Sequence, residues 1–203
     1  MTGLDGVGNG EGGGGRRASF AQRRERRALI DDPAVVLEAA ARFLEPRARS
    51  VAEVRRRLTG AGYRTDLVEG AIARMLELGM LDDAAFARAW VESRDRARPR
   101  GERAIRSELG LKGVGREIVD LLLAERREAS AVPGPDGAVS SADRAAAERL
   151  LARHLRSLRR VADPRQRRQG AYALLARNGF DPEICRTLAA GVHDDPGDEG
   201  EVD

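Results

Sequence analysis

With a single cysteine, Cys185, the chain cannot build an internal disulfide framework. Aromatic residues make up only 3% of it, which leaves Leu, Ala, Val and Ile to form a core. Such residues favour closely packed helices over a large aromatic centre. Of the two histidines, His154 lies among arginines and His193 in an acidic run. The clustered Cys and His of a zinc site, or of an activated nucleophile, are therefore missing. Gly12 to Gly15 have neither the lysine nor the preceding strand of a phosphate-binding loop. No apolar run approaches the ~20 residues of a membrane span, and the N-terminus lacks the apolar stretch of a secretory signal. These absences predict a cytoplasmic protein with no membrane partner, no cofactor, no metal and no catalytic residues.

What remains is 203 residues, 41% hydrophobic and 34% charged, with a net charge of +3. The basicity is almost all arginine, since Lys112 is the only lysine. The informative feature is repetition. Leu58-Thr-Gly-Ala-Gly62-Tyr63, Leu109-Gly-Leu-Lys-Gly113-Val114 and Leu175-Ala-Arg-Asn-Gly179-Phe180 each read Leu, three residues, Gly, hydrophobic. Beyond the glycine the copies stay in step through Leu67-Val68, Ile118-Val119 and Ile184-Cys185, then Ala71-Ile72, Leu122-Leu123 and Leu188-Ala189. A glycine after a helix-ending turn is a left-handed C-cap, which a β-carbon makes costly. The apolar residue after it, five positions before another, has the spacing of a hydrophobic staple opening the next helix. Each copy therefore predicts helix, glycine turn, helix.

A further helix precedes each pair. In the first copy it covers about 34 to 44, after which Ser50 and Glu53 form a capping box. In the second, Asp82 is the N-cap, Leu81 and Phe86 the staple, and Phe86, Ala89, Trp90 and Ser93 share one face. In the third the helix spans about 142 to 162, and Asp163-Pro164 and Asp181-Pro182 open the two helices after it. Asp82-Asp83 are thus read as a helix start rather than a carboxylate pair, Cys185 as a buried staple residue, and Trp90 as core rather than a stacking platform. No alternating strand pattern is present. The expected fold is all-α, three tandem three-helix repeats stacked as an elongated, curved, solenoid-like array. The boundaries are a disordered Gly/Arg-rich arm at 1–33, repeats at 34–80 and 81–128, a linker at 129–141, a third repeat at 142–191 and an acidic disordered tail at 192–203. A short helix over 23–30 is compatible with the end of the arm.

The arginines carry the functional signal. Arg149, Arg153, Arg156 and Arg160 recur at i, i+4, i+7 and i+11, one stripe of a helix. Between Arg88 and Arg106 lie seven arginines, among them Arg94, Arg98, Arg100 and Arg103, against Glu92, Asp95 and Glu102. A stripe without interleaved carboxylates repels itself by ~0.2–0.5 kcal/mol per i,i+4 pair. It suits an anionic partner, either phosphates or an acidic protein groove, or else it is a solvated face.

Ser50-Val-Ala-Glu53-Val54-Arg-Arg-Arg-Leu58 resembles the RecX family of regulatory proteins. So do Leu78-Gly79-Met80-Leu81-Asp82-Asp83-Ala-Ala-Phe86-Ala87-Arg88 and the block from Gly101 through Glu108-Leu109 to Val114. The likeness covers about 36 to 126, and the third copy more loosely. It departs at Glu102, where proline is common, at Pro46, and at the inserted linker. The resemblance implies a non-enzymatic modulator of the RecA recombinase. Such a protein binds the RecA–single-stranded-DNA filament in its groove, restrains strand exchange and coprotease activity, and contacts single- and double-stranded DNA, here as a monomer. A stand-alone helical DNA-binding protein and a helical scaffold for an unrelated partner remain the alternatives.

Overall fold

A computed structural model describes residues 19 to 129, 132 to 133 and 139 to 192. The glycine-rich start of the arm, the middle of the linker and the acidic run from His193 lie outside the described residues. The first helix, α1 (Phe20–Ala28), falls within the stretch read as an arm. Three units of three helices come after it. They are α2 (Pro33–Leu44), α3 (Val51–Ala61) and α4 (Thr65–Glu77); α5 (Asp83–Ala97), α6 (Glu102–Lys112) and α7 (Arg116–Ala129); and α8 (Ala142–Arg159), α9 (Pro164–Arg177) and α10 (Pro182–Ala190). The all-α repeat architecture is as the sequence predicts. Among the described residues the one departure is a two-residue antiparallel pair, β1 (Val132–Pro133) with β2 (Val139–Ser140), inside the linker.

The repeated motif has a single cause. Gly62, Gly113 and Gly179 all take left-handed φ, at 103°, 79° and 81°. In each turn the N–H after the glycine returns to the motif leucine: Tyr63 to Leu58, Val114 to Leu109 and Phe180 to Leu175. That bond closes a Schellman turn, so the leucine, buried in all three copies, must stand five positions before the second hydrophobic residue. Helix starts also obey the caps read from the sequence. Ser50 Oγ accepts the Glu53 N–H while Glu53 accepts the Ser50 N–H, and Asp82, Asp163 and Asp181 cap α5, α9 and α10. Burial of Cys185 is likewise as expected.

Three expectations need correction. Leu81 is buried in the core of the first repeat, with Val54, Leu58, Ile72 and Met75, whereas Phe86 belongs to the second core. The pair therefore does not act as a staple within one unit. On α5, Ala89 and Ser93 are exposed, while Ala87 and Val91 turn inward beside Phe86. Helix α8 ends at Arg159, one turn before the expected 162.

The units join through the same glycine turns. Gly113 rests on Ala52 near the start of α3, where a β-carbon would overlap the alanine methyl. Ser50 Oγ there donates to the Lys112 carbonyl at 2.5 Å. Gly179 rests on Ala104 near the start of α6, and Gly101 N–H donates to the Asn178 carbonyl at 3.0 Å. Gly62 rests on Arg24 of α1. Helix α1 therefore occupies, for the first repeat, the place that the second helix of a preceding repeat fills at the other two joints. Its own start is a capping box, Ser19 with Gln22.

Candidate anion-binding interface

Most of the arginines between Arg88 and Arg106 meet carboxylates that lie on other helices. Arg88 sits 3.7 Å from Glu125, Arg103 lies 3.2 Å from Asp181, and Arg106 pairs closely with Asp120. Arg94 donates to Glu108 at 2.6 Å and covers the Trp90 ring at 4.4 Å, while Trp90 Nε1 donates to the same carboxylate. Half-buried Trp90 is thus covered rather than presented to a base. Arg100 donates to Asn178 Oδ1 at 2.6 Å, tying the second repeat to the third. Arg98 is exposed at the C-cap of α5, and Arg96 donates to the Glu92 carbonyl of its own helix.

The stripe on α8 divides in two. Arg149 stands 3.8 Å from Asp95, and Arg153 donates to the carbonyls of Ala97 and Arg96 at 2.7 and 3.0 Å. Those carbonyls end α5, where a cation is favoured by the helix dipole. Arg156 and Arg160 continue the stripe outward, exposed and without an ion-pair partner among the described residues. Arg165 and Arg168, on the first turns of α9, extend the same basic end.

A second basic surface went unnoticed in the sequence. Between α1, α2 and α3 lies a cleft of about 630 Å³ lined by Arg23, Arg27, Arg42, Arg56 and Arg57 with Phe20 and Tyr63. Arg27 donates to the Ala61 carbonyl and lies over Tyr63, Arg57 lies over Phe43, and Arg42 pairs with Glu38. Phe20 is 63% exposed at the rim. The signal for α1 was Ser19-x-x-Gln22, a capping-box spacing ahead of an arginine-rich helix.

Several polar groups hold the repeats together. Arg126, 7% exposed, is gripped by Asp143 at 2.8 Å and Asp95 at 2.9 Å. Burial disfavours its charge, but the two carboxylates outweigh that and raise its pKa above the ordinary guanidinium value. Asp143 also accepts the Glu102 N–H. Glu53 receives Lys112 at 2.9 Å across the first joint. Burial pushes the Glu53 carboxyl up, yet hydrogen bonds from Lys112, Arg47 and the Ser50 backbone bring it down to about 2. Asp82 accepts the N–H groups of Ala84 and Ala85, and Asp83 accepts that of Val51. Both carboxylates are thereby used in helix and joint structure. Among the described residues no group of three metal-ligating side chains is assembled, and no helix is long and apolar enough to cross a membrane.

The model of the first three-helix domain of RecX matches residues 37–75, and that of the second matches 82–123. The regulatory protein RecX of Mycobacterium avium is 31% identical over 150 residues, which span 73% of this chain and 80% of that relative. The chain belongs to the RecX family. The RecX of Mycolicibacterium smegmatis is 34% identical over 147 residues, 71% of this chain and 72% of its own. A RecX crystal structure superposes with a TM-score of 0.63 at 19% identity, covering 86% of this chain and 79% of that one. RecX from Lactobacillus salivarius gives 0.62 at 20%, covering 81% and 98%. A regulatory role therefore comes with the family. The second RecX domain contains Arg88 to Arg106, whereas the α8–α9 end lies beyond both matched domains.

Proposed function

We propose that this RecX chain is a non-enzymatic inhibitor of RecA recombinase that acts in the bacterial cytoplasm as a monomer. It binds the RecA–single-stranded-DNA filament along its groove and restrains strand exchange and coprotease activity, and so regulates DNA repair and the SOS response. Membership of a family of regulatory proteins supports this reading. The observation that carries the mode of binding is the division of labour among the arginines. Arg94, Arg100, Arg103, Arg106, Arg149 and Arg153 are engaged in holding helices and repeats together. Arg156 and Arg160, with Arg165 and Arg168, remain exposed, and the α1–α3 cleft gathers five more arginines beside an exposed aromatic ring. Arg88 and Arg98, exposed on α5, add to the contact surface. Charges held on a jointed array present a spaced row to a helical polyanion, and phosphate contacts position it without reading sequence.

The test is strand exchange by the cognate recombinase, titrated with wild type and with a variant carrying Arg156, Arg160, Arg165 and Arg168 all changed to Ala. Wild type should inhibit and the variant should inhibit less, with helicity kept because Ala is the better helix former. An unchanged exchange rate at every ratio of wild type refutes the function. Equal inhibition by the variant refutes the surface. Stronger binding to naked DNA than to recombinase-coated DNA favours the stand-alone DNA-binding alternative.

A further inference from the structure

The described fold ends on Val192, which is buried in a cluster with Ala171 and Ala189, and Leu151, Leu155 and Leu158 of α8 pack against that cluster. The chain therefore leaves the fold against the C-terminal half of the helix that bears Arg156 and Arg160. Beyond Val192 the sequence carries Asp194, Asp195, Asp198, Glu199, Glu201 and Asp203 with no lysine or arginine. On the fold side, Arg156, Arg160, Arg165 and Arg168 are exposed and lack ion-pair partners among the described residues. From residue 149 to 168 the only carboxylate is Asp163, which is occupied in capping α9 through the Arg165 N–H.

The architecture supplies a second, independent reason. The start of α3 is covered by the Gly113 turn and the start of α6 by the Gly179 turn. Among the described residues no further repeat supplies such a turn to the start of α9. That end therefore keeps an uncovered joint surface at the positive pole of a helix, ringed by arginines.

We propose that the acidic segment 194–203 docks on the basic α8–α9 end of its own chain and competes there with phosphate-bearing partners. Reach is not limiting. Ten extended residues span up to about 35 Å, whereas Leu155 to Arg160 is about 8 Å along a helix. A tethered segment acts at an effective concentration on the order of millimolar. If the untethered interaction is ~0.1 mM, the tether weakens a competing anion about tenfold. The segment then serves as a threshold that a dense phosphate array exceeds and a sparse one does not. This deepens the reading of the α8–α9 arginines as the anion-binding surface, and it rests on that reading for its biological meaning.

The experiment uses the full chain and needs no recombinase. One variant neutralises the segment (Asp194→Asn, Asp195→Asn, Asp198→Asn, Glu199→Gln, Glu201→Gln, Asp203→Asn). A second changes Arg156, Arg160, Arg165 and Arg168 to Ala, and a third combines both sets. Fluorescence anisotropy with an oligothymidylate probe should show about tenfold tighter binding by the neutralised chain at low salt, the gap closing as screening rises. The gain should vanish in the combined variant relative to the arginine variant. If it persists there, the segment acts through overall charge and the docking site is wrong. In a second measurement a labelled peptide of residues 192–203 is added to the neutralised chain. It should bind at low salt, and lose that binding in the combined variant. No peptide binding, or binding lost only when Arg56 and Arg57 of the α1–α3 cleft are changed, overturns the proposal. A failure of strand-exchange inhibition would leave both readouts intact, so the two readings fall separately.

Discussion

Replacing Arg126 by Ala should loosen the third repeat from the second. The guanidinium is 7% exposed and is shared between Asp143, 10% exposed, and Asp95, 29% exposed. Its removal leaves two carboxylates that had met on one cation, one of them buried. Breaking a buried ion pair by removing one partner costs about 3–5 kcal/mol. Asp95 keeps partial hydration and a residual contact with Arg149, and Asp143 keeps the Glu102 N–H, which place the loss near the lower end. About 3 kcal/mol corresponds to roughly 6–12 °C in Tm for a chain of this length. Hydrogen exchange should locate the change, with α8 to α10 losing protection before the first repeat does. An Arg126→Leu, Asp143→Leu double variant should recover much of the loss, because no isolated buried charge remains. A single-variant cost under ~1 kcal/mol, or a double variant no more stable than the single, would refute the view that this cluster clamps the joint.

Other consequences can be checked on the same material. Gly113→Ala should lower stability by more than ~1 kcal/mol, since it combines a left-handed φ with overlap on Ala52, whereas Gly60→Ala, inside α3 with open space around it, should raise stability by ~0.5–1 kcal/mol; thermal melts of the two variants decide. Acid should release the first joint through Glu53. Its folded value of about 2 lies below the ordinary 4.5, so its contribution is fully present above pH ~4.5 and is lost as pH falls toward 2. Glu53→Gln should flatten the dependence of Tm on pH across that window, and an unchanged slope would count against the assigned contacts.

What the sequence revealed was whatever depends on near neighbours. Leu58 to Tyr63 and its two counterparts are legible because a Schellman turn is closed by residues five apart. Ser50 with Glu53, and Asp181 with Pro182, are legible for the same reason. The same motif in fact recurs as Met75-x3-Gly79-Met80, with Gly79 at φ 67° and Met80 N–H returning to Met75, and it could have been found. Charge pairing was illegible because the partners of the arginines are remote. Arg94 finds Glu108, Arg106 finds Asp120, and Arg103 finds Asp181, 78 positions away. Read locally, the Arg88 to Arg106 segment has too few carboxylates; in three dimensions five of its arginines reach acidic side chains. The face of α5 was misplaced because Ala87 and Ala89 look alike in composition and only packing against the second core distinguishes them.

The seat of α1 on the Gly62 turn has a consequence for assembly. At both internal joints a glycine turn of one unit meets the helix start of the unit before it, so the contact is head-to-tail and nothing in its geometry makes it stop. Such heterologous contacts propagate into open fibres unless an end is blocked. Among the described residues the Gly62 turn is the only one of the three whose seat is not supplied by another repeat, and α1 fills it with Arg24 against the glycine. None of these three turns is therefore left vacant for the α9 end of another copy. Nine residues of helix thus stand where the next copy would have to add, and end the array at that side.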